Sequence, residues 1–253
     1  MRGFVIKQHY DQTAQLAYLA RKAVPDVEVF GMLCCNRTVG GLNPEAVHHF
    51  AEVMGGHARI VSMPSWDAEN YVRQSRSPDR PAVPVAREGV LLPETIALLE
   101  TVAGAKLRDS NAKLALATGH VSAEEALLLI REAKRRGIER IVATHAMGHP
   151  IGMSIAQMKE AAGLGAYIEF VANFVIGARA TFTVQQYLEG IREIGPAQVI
   201  FSSDSGQANH PFPDDLLAQA AHQLHEAGLS HAELRAMMVE NPAALLGLPA
   251  RAS

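Results

Sequence analysis

The chain has 253 residues, 48% of them hydrophobic, enough for one α/β barrel or two small domains with a large core; a single domain over 1–253 is expected. With 23 basic against 26 acidic residues and a formal charge of −3, it has neither the basic footprint of a nucleic-acid binder nor a polybasic membrane patch, so the expected partner is a small molecule. Cys34 and Cys35 are adjacent and would point to opposite faces of a strand, which excludes a disulfide framework and fits a reducing cytoplasm. No apolar run approaches the roughly 20 residues that span a bilayer, and no signal-peptide pattern opens the chain.

Apolar runs of strand length alternate with amphipathic stretches. Residues 3–9 read as a strand and 13–23 as a helix. Residues 27–35 are the next strand, followed by the turn-like "TVGGLNP" and a helix over 44–54, with Asn43 as N-cap and Pro44 at its first position. Residues 59–63 are the third strand. The segment over about 66–92, rich in Pro, Arg and Ser, reads as a long irregular insertion, a functional lid or a disordered loop. A helix over 93–103 and a strand over 113–118 follow. Ser122 and Glu125 form a capping box for a helix that Gly137 ends. Then come strand 140–144, helix 155–162, strand 167–172, helix 184–194, strand 199–203 and two closing helices over 214–227 and 231–239. Seven strands that are apolar on both faces and are followed by helices predict a parallel α/β sheet of the (β/α)8 TIM-barrel type, one unit short of eight.

Chemistry-bearing residues fall at the C-terminal ends of these strands, where such barrels build their active sites. Lys7 and His9 share one face of the first strand. "LATGH" ends in His120, "RIVATH" in His145 and "VIFSSD" in Asp204. Imidazoles and a carboxylate are the ligands a catalytic zinc takes, with a position left for water. Asn36, His149 and Glu169 are candidate substrate contacts. Glu169 also reads as a partner of the lysine or histidines, or as a barrel-layer residue held in a salt bridge, and Gly40 and Gly41 serve a tight turn. Trp66, Arg73 and Arg76 either cap the site and bind an anion or form a solvated loop. His48, His49, His222, His225 and His231 fall on or beside helices and read as solvated, and His210 as a loop residue.

At these residues, and at "KQH...T...A", "VGGLNPEAV" and the closing "MMVENPAALLGL", the chain resembles the amidohydrolase superfamily of metal-dependent TIM-barrel hydrolases, and more closely an uncharacterised amidohydrolase-like family. The likeness runs over essentially the whole chain. It implies one or two divalent ions, zinc first, at His120, His145 and Asp204, with Asp204 also taking the water proton; the strand-end pattern adds His9 as a ligand and Lys7, which is not on the strand that carries the superfamily's lysine, as a ligand or electrostatic stabiliser. The superfamily's first strand ends in His-x-His, and this sequence contains no such pair. The opening "MRGFVIKQHY" therefore reads as a second strand, either because the recorded start is late or because the chain is a natural remnant. The expectations that follow are an unclosed barrel, self-association into a homo-oligomer, and a cytoplasmic hydrolase of a C–N, ester or lactone bond. A non-catalytic binding barrel and a metal-dependent phosphoesterase are the alternatives.

Overall fold

The structure is a computed structural model that describes residues 2–178, 180–208 and 210–249. It divides into two compact units, Met1–Val142 and Ala143–Ser253.

In the first unit the elements run β1 (Gly3–Ile6), α1 (Ala14–Ala23), β2 (Glu28–Cys34), α2 (Pro44–Ala51), β3 (Ala58–Ser62), α3 (Glu69–Gln74), β4 (Ala86–Arg87), β5 (Val90–Leu91), α4 (Pro93–Gly104), β6 (Ala115–Ala117), α5 (Ala123–Arg135) and β7 (Ile141–Ala143), whose last residue opens the second unit. The order β1-β2-β3-β6-β7 is parallel throughout. Thr13, the threonine of "KQH...T...A", is fully buried; its hydroxyl donates to the Ile6 carbonyl and accepts from Met32 N, tying β1 to β2. Asn43 caps α2 by accepting from Glu45 N, and Ser122 and Glu125 form the expected capping box on α5.

The second unit runs α6 (Ile155–Gly163), β8 (Tyr167–Val171), α7 (Val184–Ile194), β9 (Val199–Ser202), α8 (Pro213–Glu226), α9 (His231–Arg235) and α10 (Asn241–Leu245). Strands β8 and β9 are parallel, and the segment after β7 joins β8 through Ala146 N donating to the Glu169 carbonyl. Along the chain, seven strands alternate with helices in an α/β fold of the TIM-barrel type, one βα unit short of eight among the described residues.

Three expectations are corrected. The segment 66–92 is ordered: it holds α3 and the antiparallel β4–β5 hairpin. Its two-residue turn is Glu88-Gly89, with φ of 49° and 77°, a primed turn whose usual Asn or Asp is replaced by Glu and so gave no signal. The closing helix over 231–239 stops at Arg235 and passes through a π turn, Ala236–Glu240, into α10. Pro242 has no N–H to donate back into the preceding turn and sits in the first turn of α10, where that N–H is not needed. The Asn241 amide donates to the Val199 and Pro196 carbonyls, fastening α10 to β9. Finally, His225 is half-buried rather than solvated; its Nδ1 meets the Leu229 carbonyl at 2.7 Å and its ring stacks on His231 at 4.2 Å.

Candidate active site

In the first unit the predicted residues lie just past strand ends. His9 follows Ile6 by three positions, His120 follows Ala117 by three, and Asn36 follows Cys34 by two. Their rings and amide are gathered by the loop after β3. His9 Nδ1 lies 2.8 Å from Ser65 Oγ, and the His9 and His120 ring centres are 6.1 Å apart. Gly119 positions His120: its φ is 65°, and a Cβ there would lie 2.4 Å from the Met63 and Pro64 carbonyl oxygens. Only glycine permits that approach, which lets His120 N donate to Pro64 O at 2.9 Å.

Asn36 is the hub of this loop cluster. It is 1% exposed; its Nδ2 donates to the His9 carbonyl and to Ser65 Oγ, and its Oδ1 accepts from Ser65 N and Asp67 N. A primary amide has two donors and two acceptor lone pairs, so all of its capacity is spent inside the protein. The side chain read from sequence as a substrate contact here holds three loops together. Lys7 lies close enough to Cys34 to act on it electrostatically. Burial pushes the Cys34 thiol up from its ordinary range, and the Lys7 ammonium and hydrogen bonds with Ser65 and Ser62 oppose that shift.

In the second unit His145 and Asp204 each stand two positions past a strand, after Ala143 and Ser202. Both have positive φ, 22° and 46°. The other non-glycine residues of this kind among those described, Glu88 and Asp109, serve turns. His145 also opens a turn, its carbonyl accepting from Gly148 N, but at His145 and Asp204 the unusual backbone carries a chemically active side chain, the setting in which such conformations recur at functional sites. Glu169 holds the first of them: its Oε2 accepts from His145 N at 2.9 Å and its Oε1 from Ser202 Oγ at 2.8 Å, so the carboxylate predicted to touch substrate also braces the site. Phe174 packs edge-on against the His145 ring at 5.5 Å, close against Gly148, where a Cβ would fall 2.1 Å from the phenyl ring. Asn173, 1% exposed, donates its amide to the Asp204 carbonyl and its N–H to Ser203 O. His149 is exposed in the loop after β7.

Sequence reasoning missed Ser65, Asp67, Tyr71, Arg80 and Asn173. The signal for two of them was available: Ser65 stands three positions past β3, as His9 and His120 do past their strands, and Asn173 stands two past β8, as His145 and Asp204 do.

A catalytic zinc takes three protein ligands. Among the described residues no group of three or more His, Cys, Asp or Glu side chains is placed to hold a metal ion.

A family model described as a family of unknown function, DUF6282, matches residues 1–169. The chain belongs to this family. The DUF6282 match takes in His9, Asn36, Ser65, His120, His145 and Glu169 and ends before Asp204. No curated protein matches the chain. Among solved structures, a doubly substituted organophosphorus hydrolase from Deinococcus radiodurans is similar at 15% identity and TM-score 0.61, covering 97% of this chain and 79% of its own. An amidohydrolase from Pseudomonas aeruginosa follows at 13% identity and TM-score 0.57, with 96% and 78% covered. An amidohydrolase from Burkholderia multivorans with bound zinc has 14% identity and TM-score 0.55, with 92% and 79% covered. The DUF6282 chain therefore shares the fold of these solved structures. No helix among its described residues is long and apolar enough to cross a membrane.

Proposed function

We propose that this chain is a hydrolase of small molecules acting on a C–N, ester or lactone bond, with Asp204 as general base. The observation that supports it best is the placement of His145 and Asp204, in positive-φ backbone immediately past β7 and β9, in a fold whose active sites lie at the C-terminal ends of the strands. A carboxylate there can take a proton from the attacking water and return it to the leaving group. Glu169 and Asn173 hold the backbone of His145 and Asp204 in place by accepting from His145 N and donating to the Asp204 carbonyl. Dependence on a divalent ion is part of the proposal, and zinc is the ion named for the Burkholderia relative. A homo-oligomer and a cytoplasmic location are proposed with it.

The test is a panel of lactones, carboxylic esters, amides and phosphotriesters offered to the full chain, stripped with chelator and then supplied with zinc, manganese or cobalt. Turnover of one class, lowered by a factor of 10² to 10⁴ in Asp204→Asn, supports the reading. Metal content should fall in His120→Ala and His145→Ala and stay unchanged in His222→Ala. Absence of turnover on every substrate with every metal overturns it.

A further inference from the structure

We propose that Trp66 and Tyr71 form, beside His9 and His120, a recognition site for a flat, uncharged aromatic or conjugated group. Calling that group part of a substrate rests on the hydrolase reading; the binding itself does not. Four rings in the first unit make a closed circuit. His9 and Trp66 are 6.1 Å apart, Trp66 and Tyr71 5.3 Å, Tyr71 and His120 5.4 Å, and His120 and His9 6.1 Å. Such separations suit offset or edge-to-face packing, and a further planar ring can join on the same terms. His120 is 8% exposed, yet the indole of Trp66 is 41% exposed, so the largest apolar side chain of the circuit faces solvent.

That indole is held in place. The Arg80 guanidinium lies 5.2 Å from the Trp66 ring centre and 6.0 Å from that of Tyr71; it donates to the Trp66 carbonyl and pairs with Asp67, which also accepts from Arg37 N. A rigid aromatic face left in water, next to two imidazoles at strand ends, has the character of a ligand-site wall. The charges nearby choose the ligand. Arg80, the cation lying against both rings, is paired with Asp67, and Arg73 pairs with Glu69 at 2.8 Å, so neither brings an unpaired charge to the rings, and a neutral flat group is the better match.

Trp66 is the chain's one tryptophan, so its emission reports this site alone. The full chain is titrated with benzyl alcohol and with cyclohexylmethanol, which has similar bulk but is not flat. We expect a saturable change in Trp66 emission with benzyl alcohol at a dissociation constant at least fivefold below that of cyclohexylmethanol. Trp66→Ala, and as a second variant Tyr71→Leu, each verified as folded by circular dichroism, should weaken benzyl alcohol binding about tenfold by ligand-observed NMR, and Trp66→Phe should restore most of it. Equal affinities for the two alcohols, or no saturable change, overturn the proposal. If benzyl alcohol binds as expected and no substrate is turned over, the hydrolase reading fails and this site stands. If turnover occurs while Trp66→Ala leaves KM for phenyl and methyl esters alike unchanged, this site fails and the hydrolase reading stands.

Discussion

The two units hold their reactive groups by different means. In the first, side chains do it: Asn36 fastens the loops after β1, β2 and β3 through four hydrogen bonds, and a circuit of rings packs around His9 and His120. In the second, the backbone carries more of the task, with His145 and Asp204 in positive-φ conformation and braced by bonds from Glu169 and Asn173 to main-chain atoms. A site built from side chains concentrates its stability in the residues that shape it, whereas a site built on an unusual backbone gives up stability to aim a group. Mutations at the aimed residues should therefore separate function from stability in the second unit, and mutations at the hub Asn36 should couple them in the first.

The sharpest break of that contrast is Asp204→Gly. Glycine accepts φ of 46° without strain, so unfolding free energy should hold or rise by up to about 1 kcal/mol while turnover falls by a factor of about 10² to 10⁴. A clear loss of stability in urea melts would mean that the Asp204 side chain is structural. Next in size is Asn36→Leu, similar in volume but unable to bond. It strands the His9 carbonyl and the Ser65 and Asp67 N–H groups and should cost about 4 kcal/mol, read from the urea midpoint; a cost below about 1 kcal/mol would remove Asn36 from its role as hub. Glu169→Gln turns an amide donor towards either His145 N or Ser202 Oγ, both donors now. It should cost about 2 kcal/mol and slow turnover at least tenfold, and retention of full activity would show that His145 is aimed without it.

The smallest effect lies outside both sites. On α5, Arg135 and Arg136 donate to Glu132 and hold its carboxyl down at about 2. A folded-state value below the unfolded one adds stability at pH above the ordinary Glu range, and that contribution is lost as pH falls from about 4.5 towards 2. Glu132→Gln should lower stability at neutral pH by less than about 1 kcal/mol, since Arg135 is largely in solvent, and should flatten the stability curve over that acid range. An unchanged acid slope would place the acid lability elsewhere.

Much of this was legible in the sequence, for identifiable reasons. The seven strands announced themselves because strands covered on both faces are continuously apolar, and the caps Asn43 and Ser122 because capping depends on residues two or three apart. His9, His120, His145 and Asp204 were found by a repeated offset from strand ends. The same offset points to Ser65 and Asn173, which escaped notice because serine and asparagine are also ordinary loop residues. The order in segment 66–92 was hidden for a different reason: it depends on Arg80 reaching back across 13 positions to Asp67 and on a turn made with Glu88, neither of which leaves a periodic trace.

Cys34 and Cys35 carry one further consequence. Each is 1% exposed, and burial raises both thiols above their ordinary range, so neither supplies the thiolate on which disulfide exchange and alkylation depend. In the folded chain these sulfurs should be inert to a thiol reagent, and the rate at which they become labelled should equal the rate or extent of opening around β2. The chain thus carries its own local clock for breathing of the first unit, readable without a probe being introduced and silent to opening confined to residues 143–253.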